Sequence, residues 1–185
     1  MKRLFIAVPF YPEPIFSESL NDLQYALRYD KIHWIQPQLM HFTLRFLGQT
    51  EDSKIPEIIH IIDASVKHHA PFKIQLGRLG IFGSKYQPRV LWCGIDESEC
   101  FMRLHYDIET GLQLPKPPQE GHYVPHLTLG RIQKIVDKQR FQRILDAQRN
   151  NIRQMVSISE VILYQSILSQ KLPVYKTIER FELKG

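Results

Sequence analysis

Two near-identical words, "HFTL" at His41–Leu44 and "HLTL" at His126–Leu129, stand 85 positions apart and constrain this chain more than any other feature. Each sits in the same succession of elements. A buried strand at residues 3–8, an amphipathic helix at 14–28 carried by Ile15, Leu20, Leu23 and Leu27, the strand "HFTLRFLG" and a helix at 54–68 fill the first part of the chain. The strands "FKIQLGRLGIF" and "RVLWCGI" bracket "GSKYQP", and the order then restarts: a helix at 97–112, the strand "HLTLGRI" and a helix at 137–149. Leu4 lies 37 residues before His41 and Leu91 lies 35 before His126, in keeping with an internal duplication. Two final strands, roughly 156–168 and 173–183, are expected to pair with each other. The expected class is α+β: a bilobal, duplicated α/β fold whose two mainly antiparallel sheets carry outer helices and face each other across a central cleft. One compact domain, 1–185, is expected, with repeats at about 1–70 and 88–150 and a terminal strand pair at 155–184.

A strand turns alternate side chains to opposite faces, so His41 and Thr43 share one face while Phe42 and Leu44 share the other. The same holds for His126 and Thr128 against Leu127 and Leu129. If the repeats are related by a pseudo-twofold axis, two imidazoles and two hydroxyls meet across the cleft. Histidine populates both protonation states near neutrality, so one ring accepts a proton while the other donates one. The threonines would donate to an anion held between the rings, and a phosphate suits such a donor set. Arg131 would add a charge-assisted bond, although strict alternation puts it opposite His126 unless the strand bends near Gly130. The remaining histidines, His33, His60, His68, His69, His105 and His122, read as structural.

Several chemistries lack their signatures. No third Cys, His, Asp or Glu stands at ligand spacing beside either motif, so no metal is expected. No G-x-S-x-G elbow, Walker loop or G-x-G-x-x-G occurs. Cys93 and Cys100 fit neither a disulfide framework nor a redox pair, and Cys93 reads as a small core residue. The longest apolar runs are strand-length, and the basic start "MKRLFIAVPFYPEP" meets three prolines without a cleavage site, so no membrane association and a cytoplasmic location are expected. The net charge of +5 is a weak vote for an anionic partner.

Together, "RLFIAVPF", "HFTLRFLG", "PRVLWCGI", "YVPHLTLGR" and "LYQSILSQKLPVYKTIERFEL" resemble the two-histidine phosphoesterases, specifically the RNA 2′,3′-cyclic phosphodiesterases also called 2′-5′ RNA ligases. The resemblance covers nearly the whole chain. It departs at "PQLMH", where the family more often has an acidic-Asn-Leu run. It implies His41 and His126 as the catalytic pair, with Thr43, Thr128 and Arg131 on the phosphate. Tyr123 is expected at the substrate. The reaction implied is the opening of a terminal 2′,3′-cyclic phosphate by water to a 2′-phosphate, reversible as 2′-5′ ligation, with no cofactor. The partner implied is RNA ending in a 2′,3′-cyclic phosphate, tRNA fragments included, and a monomer is expected. Arg45, Lys85, Arg89, Lys116, Phe10 and Trp34 are candidates for an RNA track, with a core role at least as apt for Phe10 and Trp34. Two alternatives stay open: a two-histidine enzyme acting on a 2′-5′ oligonucleotide or small cyclic nucleotide, and a non-catalytic RNA-binding module.

Overall fold

A computed structural model describes residues 1–84, 86–96, 98–114, 123–167 and 173–185. The strands are β1 (Lys2–Pro9), β2 (Lys31–Trp34), β3 (His41–Thr50), β4 (Phe72–Ser84), β5 (Gln87–Ile95), β6 (His126–Lys134), β7 (Met155–Ile158), β8 (Glu160–Ile167) and β9 (Val174–Glu182). The helices are α1 (Pro14–Ala26), α2 (Ile55–Val66), α3 (Glu99–Leu112) and α4 (Lys138–Ala147). Hydrogen bonding orders the strands β7-β4-β5-β6-β3-β1-β8-β9, with β2 on β6. Every ladder is antiparallel. The two halves of this path, β4-β5-β6 and β3-β1-β8, meet at a seam consisting of a single pair, Phe42 opposite Leu127.

The register repeats at a constant offset of 85. Pro9 pairs with His41, Val8 with Phe42 and Ala7 with Thr43; Gly94 pairs with His126, Cys93 with Leu127 and Trp92 with Thr128. The counterpart of Leu91 is therefore Ile6, two residues beyond the Leu4 used in the sequence comparison. Phe42 and Leu127, the seam pair, are themselves counterparts, as an axis through the seam requires.

The helices pack their apolar stripes on the face opposite the motifs. In α1, opened by Pro14, the buried residues are Phe16, Leu20 and Leu23, while Ile15 is 58% exposed. The expected stripe thus begins one residue later: Phe16 stands four positions before Leu20, whereas Ile15 lies about 100° away around the helix. The Ser98 side chain accepts from the Phe101 backbone N–H to start α3, whose Phe101, Leu104, Ile108 and Leu112 are buried. Asp137 caps α4 through the N–H groups of Gln139 and Arg140. These faces join Phe42, Leu44, Leu127 and Leu129 in one core. Cys93 lies in this core, its thiol pushed up to about 12 by burial, as a packing residue would be.

One expectation about the strands needs correction, and one strand went unread. The run 156–168 is not one strand: it breaks at Ser159, so that β7 pairs with β4 while β8 joins β1 and β9. Burial shows why, since Val156 and Ile158 alternate inward whereas Val161, Ile162 and Leu163 are all buried in succession. The strand β2 went unread because it is only four residues long. It is held by tertiary contacts: Asp30, just before it, accepts from the Val136 N–H and pairs with Arg140 of α4.

Candidate active site

The sequence around each histidine builds the same local structure. In both repeats a β-bulge follows the threonine: Ile6 pairs with Arg45 and Ala7 with Thr43, leaving Leu44 extra, while Leu91 pairs with Gly130 and Trp92 with Thr128, leaving Leu129 extra. A bulge lets two successive residues point inward and resets the alternation beyond it. Leu44 and Arg45 are accordingly both buried, as are Leu129 and Gly130, and the next residues, Phe46 and Arg131, emerge on the motif face. This supplies the bend near Gly130 that Arg131 required.

On the first motif, the His41 Nδ1 lies 2.8 Å from the Leu39 carbonyl oxygen; on the second, the His126 Nδ1 lies 2.8 Å from the Val124 carbonyl oxygen. A carbonyl only accepts, so each Nδ1 carries a hydrogen and each Nε2 is the acceptor of the neutral ring. Leu39 and Val124 are again counterparts at the offset of 85. Continuing the seam register one step each way sets His41 beside Thr128 and His126 beside Thr43. The four polar groups form a quartet on one face, the arrangement expected from the repeated word.

The surroundings of the two rings differ. His41 packs against Phe5 at 4.9 Å and edge-on to Tyr175 at 5.3 Å between centroids, with Tyr164 at 6.5 Å. His126 meets Phe82 edge-on at 4.7 Å and Trp92 at 6.2 Å. Burial among these rings lowers the His41 pKa to about 4, against the carbonyl bond that raises it, and a charge on His126 lowers it further. The His41 ring therefore feels the His126 charge across the seam. The His126 pKa is lowered too, chiefly by burial. Burial raises the Tyr175 phenol, and the Arg131 charge acts the other way. A cavity of about 330 Å³ opens next to Trp92, Val124 and Pro125, beside His126, with Arg78, Asp96 and Ser98 among its polar walls.

Not every candidate from the sequence stands at this face. Arg45 is buried and ion-paired with Glu109 at 2.9 Å, because the bulge turns it into the core; it belongs to no RNA track. Phe10 is a core residue and Trp34 packs on the core. Lys85, Lys116 and His122 lie outside the described residues. His69 is buried and bonded to Asp107 at 2.9 Å, a structural role as expected. The Tyr123 hydroxyl donates to the Thr43 carbonyl oxygen at 3.0 Å, and its ring lies parallel to His105 with centroids 3.5 Å apart. Its donor is thus engaged within the protein. Sequence reasoning missed the ring set around the histidines, Phe5, Tyr164, Tyr175, Phe82 and Trp92, for which a run of aromatics in strands is an ambiguous signal. Among the described residues no cluster of three or more His, Cys, Asp and Glu side chains is placed to hold a metal, and no helix is long and apolar enough to cross a membrane.

Known proteins resemble this chain in sequence and in fold. An RNA 2′,3′-cyclic phosphodiesterase of Archaeoglobus fulgidus is 30% identical over 183 residues, covering 97% of this chain and 99% of that protein. One of Aquifex aeolicus is 29% identical over 177 residues, covering 91% and 94%. A crystal structure of a Thermus thermophilus protein superposes with a TM-score of 0.79 at 26% identity, covering 99% of this chain and 98% of that one. Escherichia coli LigT complexed with 3′-AMP shares the fold, at a TM-score of 0.79 and 18% identity, over 100% and 99% of the two chains. The model of the 2′-5′ RNA ligase superfamily matches residues 11–167, a span that holds both H-x-T-L words, both bulges and the seam between them, and the chain belongs to that superfamily.

Proposed function

We propose that the protein hydrolyses RNA ends bearing a 2′,3′-cyclic phosphate, using His41 and His126 as its acid and base. The observation that carries this reading is the matched pair of Nδ1 bonds to the Leu39 and Val124 carbonyls, which fixes both rings in one tautomer and points each Nε2 to proton transfer. Water attacks phosphorus as one neutral Nε2 takes its proton. The bond from phosphorus to the ribose 3′-oxygen breaks, and the other ring, protonated, gives that oxygen its proton. The product is a 2′-phosphomonoester. With an RNA 5′-hydroxyl in place of water, the same transfers make a 2′-5′ linkage.

Burial lowers both rings, so a neutral imidazole is available as the base, and the two protonations belong to the coupled pair. Thr43, Thr128 and Arg131 bind the phosphoryl oxygens, whose charge grows as the water bond forms. The half-exposed Phe46, at the position in the first repeat that Arg131 holds in the second, and the cavity beside Trp92 offer surfaces for nucleoside on either side. The similarity to proteins named RNA 2′,3′-cyclic phosphodiesterases supports RNA as the substrate class. A monomeric, metal-independent enzyme acting on ends such as those of tRNA fragments completes the proposal.

The test is product analysis. A short RNA ending in a 2′,3′-cyclic phosphate and a nucleoside 2′,3′-cyclic phosphate are each incubated with the protein in EDTA and followed by ³¹P NMR. Accumulation of the 2′-phosphate is expected from both. A 3′-phosphate product, or activity only on added divalent metal, would overturn the reading.

A further inference from the structure

The two catalytic repeats are matched almost residue for residue, yet the carbonyls that orient their histidines are held by different means. In the first repeat Leu39 belongs to a 3₁₀ turn, Pro37–Leu39, closed by bonds from the Leu39 N–H to the Gln36 oxygen at 2.8 Å and from the Met40 N–H to the Pro37 oxygen at 3.2 Å. Met40 is then buried in the core. This stretch is braced by its own backbone. In the second repeat residues 123–125 form neither helix nor strand. Their counterpart of Gln38 is Tyr123, whose hydroxyl donates to the Thr43 oxygen and whose ring lies on His105 of α3. The bond lands on β3 beside the seam, where, among the described residues, β3 and β6 share only the Phe42–Leu127 pair.

We infer that Tyr123 is a positioning residue: its bond across the seam to Thr43 holds Val124, and through the Val124 carbonyl fixes the tautomer and orientation of His126 relative to His41. The residue touches neither reacting atom. It acts on His126 alone, because His41 has the 3₁₀ turn. This rests on the two-histidine reading of the site, and it replaces the substrate contact expected for Tyr123 from sequence.

The variant Tyr123→Phe removes the hydroxyl and keeps the ring on His105. Steady-state hydrolysis of a nucleoside 2′,3′-cyclic phosphate should show kcat reduced on the order of tenfold with KM unchanged, the pattern of a misplaced proton-transfer group. In the free protein, ¹⁵N NMR of the imidazoles should show His126 exchanging between tautomers while His41 keeps its Nδ1–H form. A His126 spectrum identical to that of the unsubstituted protein overturns the inference whatever the kinetics. A raised KM with unchanged kcat overturns it in favour of a direct substrate contact. If the unsubstituted protein fails to open the cyclic phosphate, the proposed function falls, but the ¹⁵N comparison still decides the role of Tyr123.

Discussion

The depressed pKa of His41 makes acid stability a direct readout of the site. Folding takes this ring from water, where it titrates near 6.5, into a setting of Phe5, Tyr164 and Tyr175 where it titrates near 4. The unfolded chain therefore binds the proton first as pH falls. Stability is fully present above about pH 6.5 and declines toward the folded value, since the unfolded state gains proton binding that the native state resists. A single group with these two values removes about 2 kcal/mol at pH 5 and about 3 kcal/mol at pH 4. Substitution of His41 by Asn keeps a donor of similar reach for the Leu39 carbonyl and deletes the titration. Urea denaturation of both proteins at half-unit intervals from pH 7.5 to 4 measures the difference. The stability of the His41 protein should fall relative to that of His41→Asn by about these amounts. Parallel curves would show that His41 titrates alike in both states, and that the ring cluster does not desolvate it.

Further outcomes follow from the same geometry. Because both histidines are lowered and one must be charged while the other is neutral, the pH profile of kcat/KM, which reports the free enzyme, should be a bell centred below pH 6.5, its apparent values belonging to the coupled pair. The kcat bell should lie higher, since a bound anion favours the imidazolium; a monotonic profile with chemistry rate-limiting would contradict the pair. Arg131→Ala should reduce kcat/KM roughly 10- to 100-fold, the worth of a charge-assisted hydrogen bond, and Arg131→Lys should recover only part; an Ala variant at full activity would remove Arg131 from the phosphate. Gly80→Ala places a Cβ 2.3 Å from two ring atoms of Trp92, which pairs with Thr128, so unfolding free energy should fall by roughly 1–3 kcal/mol and kcat with it, both checked on one preparation. Unchanged values of both would show that Trp92 moves without consequence for the site.

Much of this was legible because its signals are local. The repeated H-x-T-L words, the strand parity that puts His41 and Thr43 on one face, and the pairing of β8 with β9 depend on periodicity within a few residues. The bulges were not legible. An extra residue in one strand leaves the composition unchanged, so alternation sent Arg131 the wrong way and left Arg45 among surface cations until the partner strands fixed the register. The break at Ser159 was hidden for the same reason, because both sides of it read as strand. The aromatic setting of His41 was out of reach in another way. Phe5, Tyr164 and Tyr175 come from three strands, and only the order β3-β1-β8-β9 brings them to the ring. The tie of Tyr123 was also out of reach, because its bond to Thr43 exists only once the seam is formed.

The central claim, that two histidines held at the seam exchange the protons of one reaction, is tested most directly by comparing His41→Ala, His126→Ala and the double variant in hydrolysis of a nucleoside 2′,3′-cyclic phosphate. Each single variant, with its fold verified by circular dichroism, should lose about 10²- to 10⁴-fold in kcat, and the double variant should be little worse than either, because the two groups act in one concerted transfer. Turnover essentially unchanged on loss of either histidine would contradict the account.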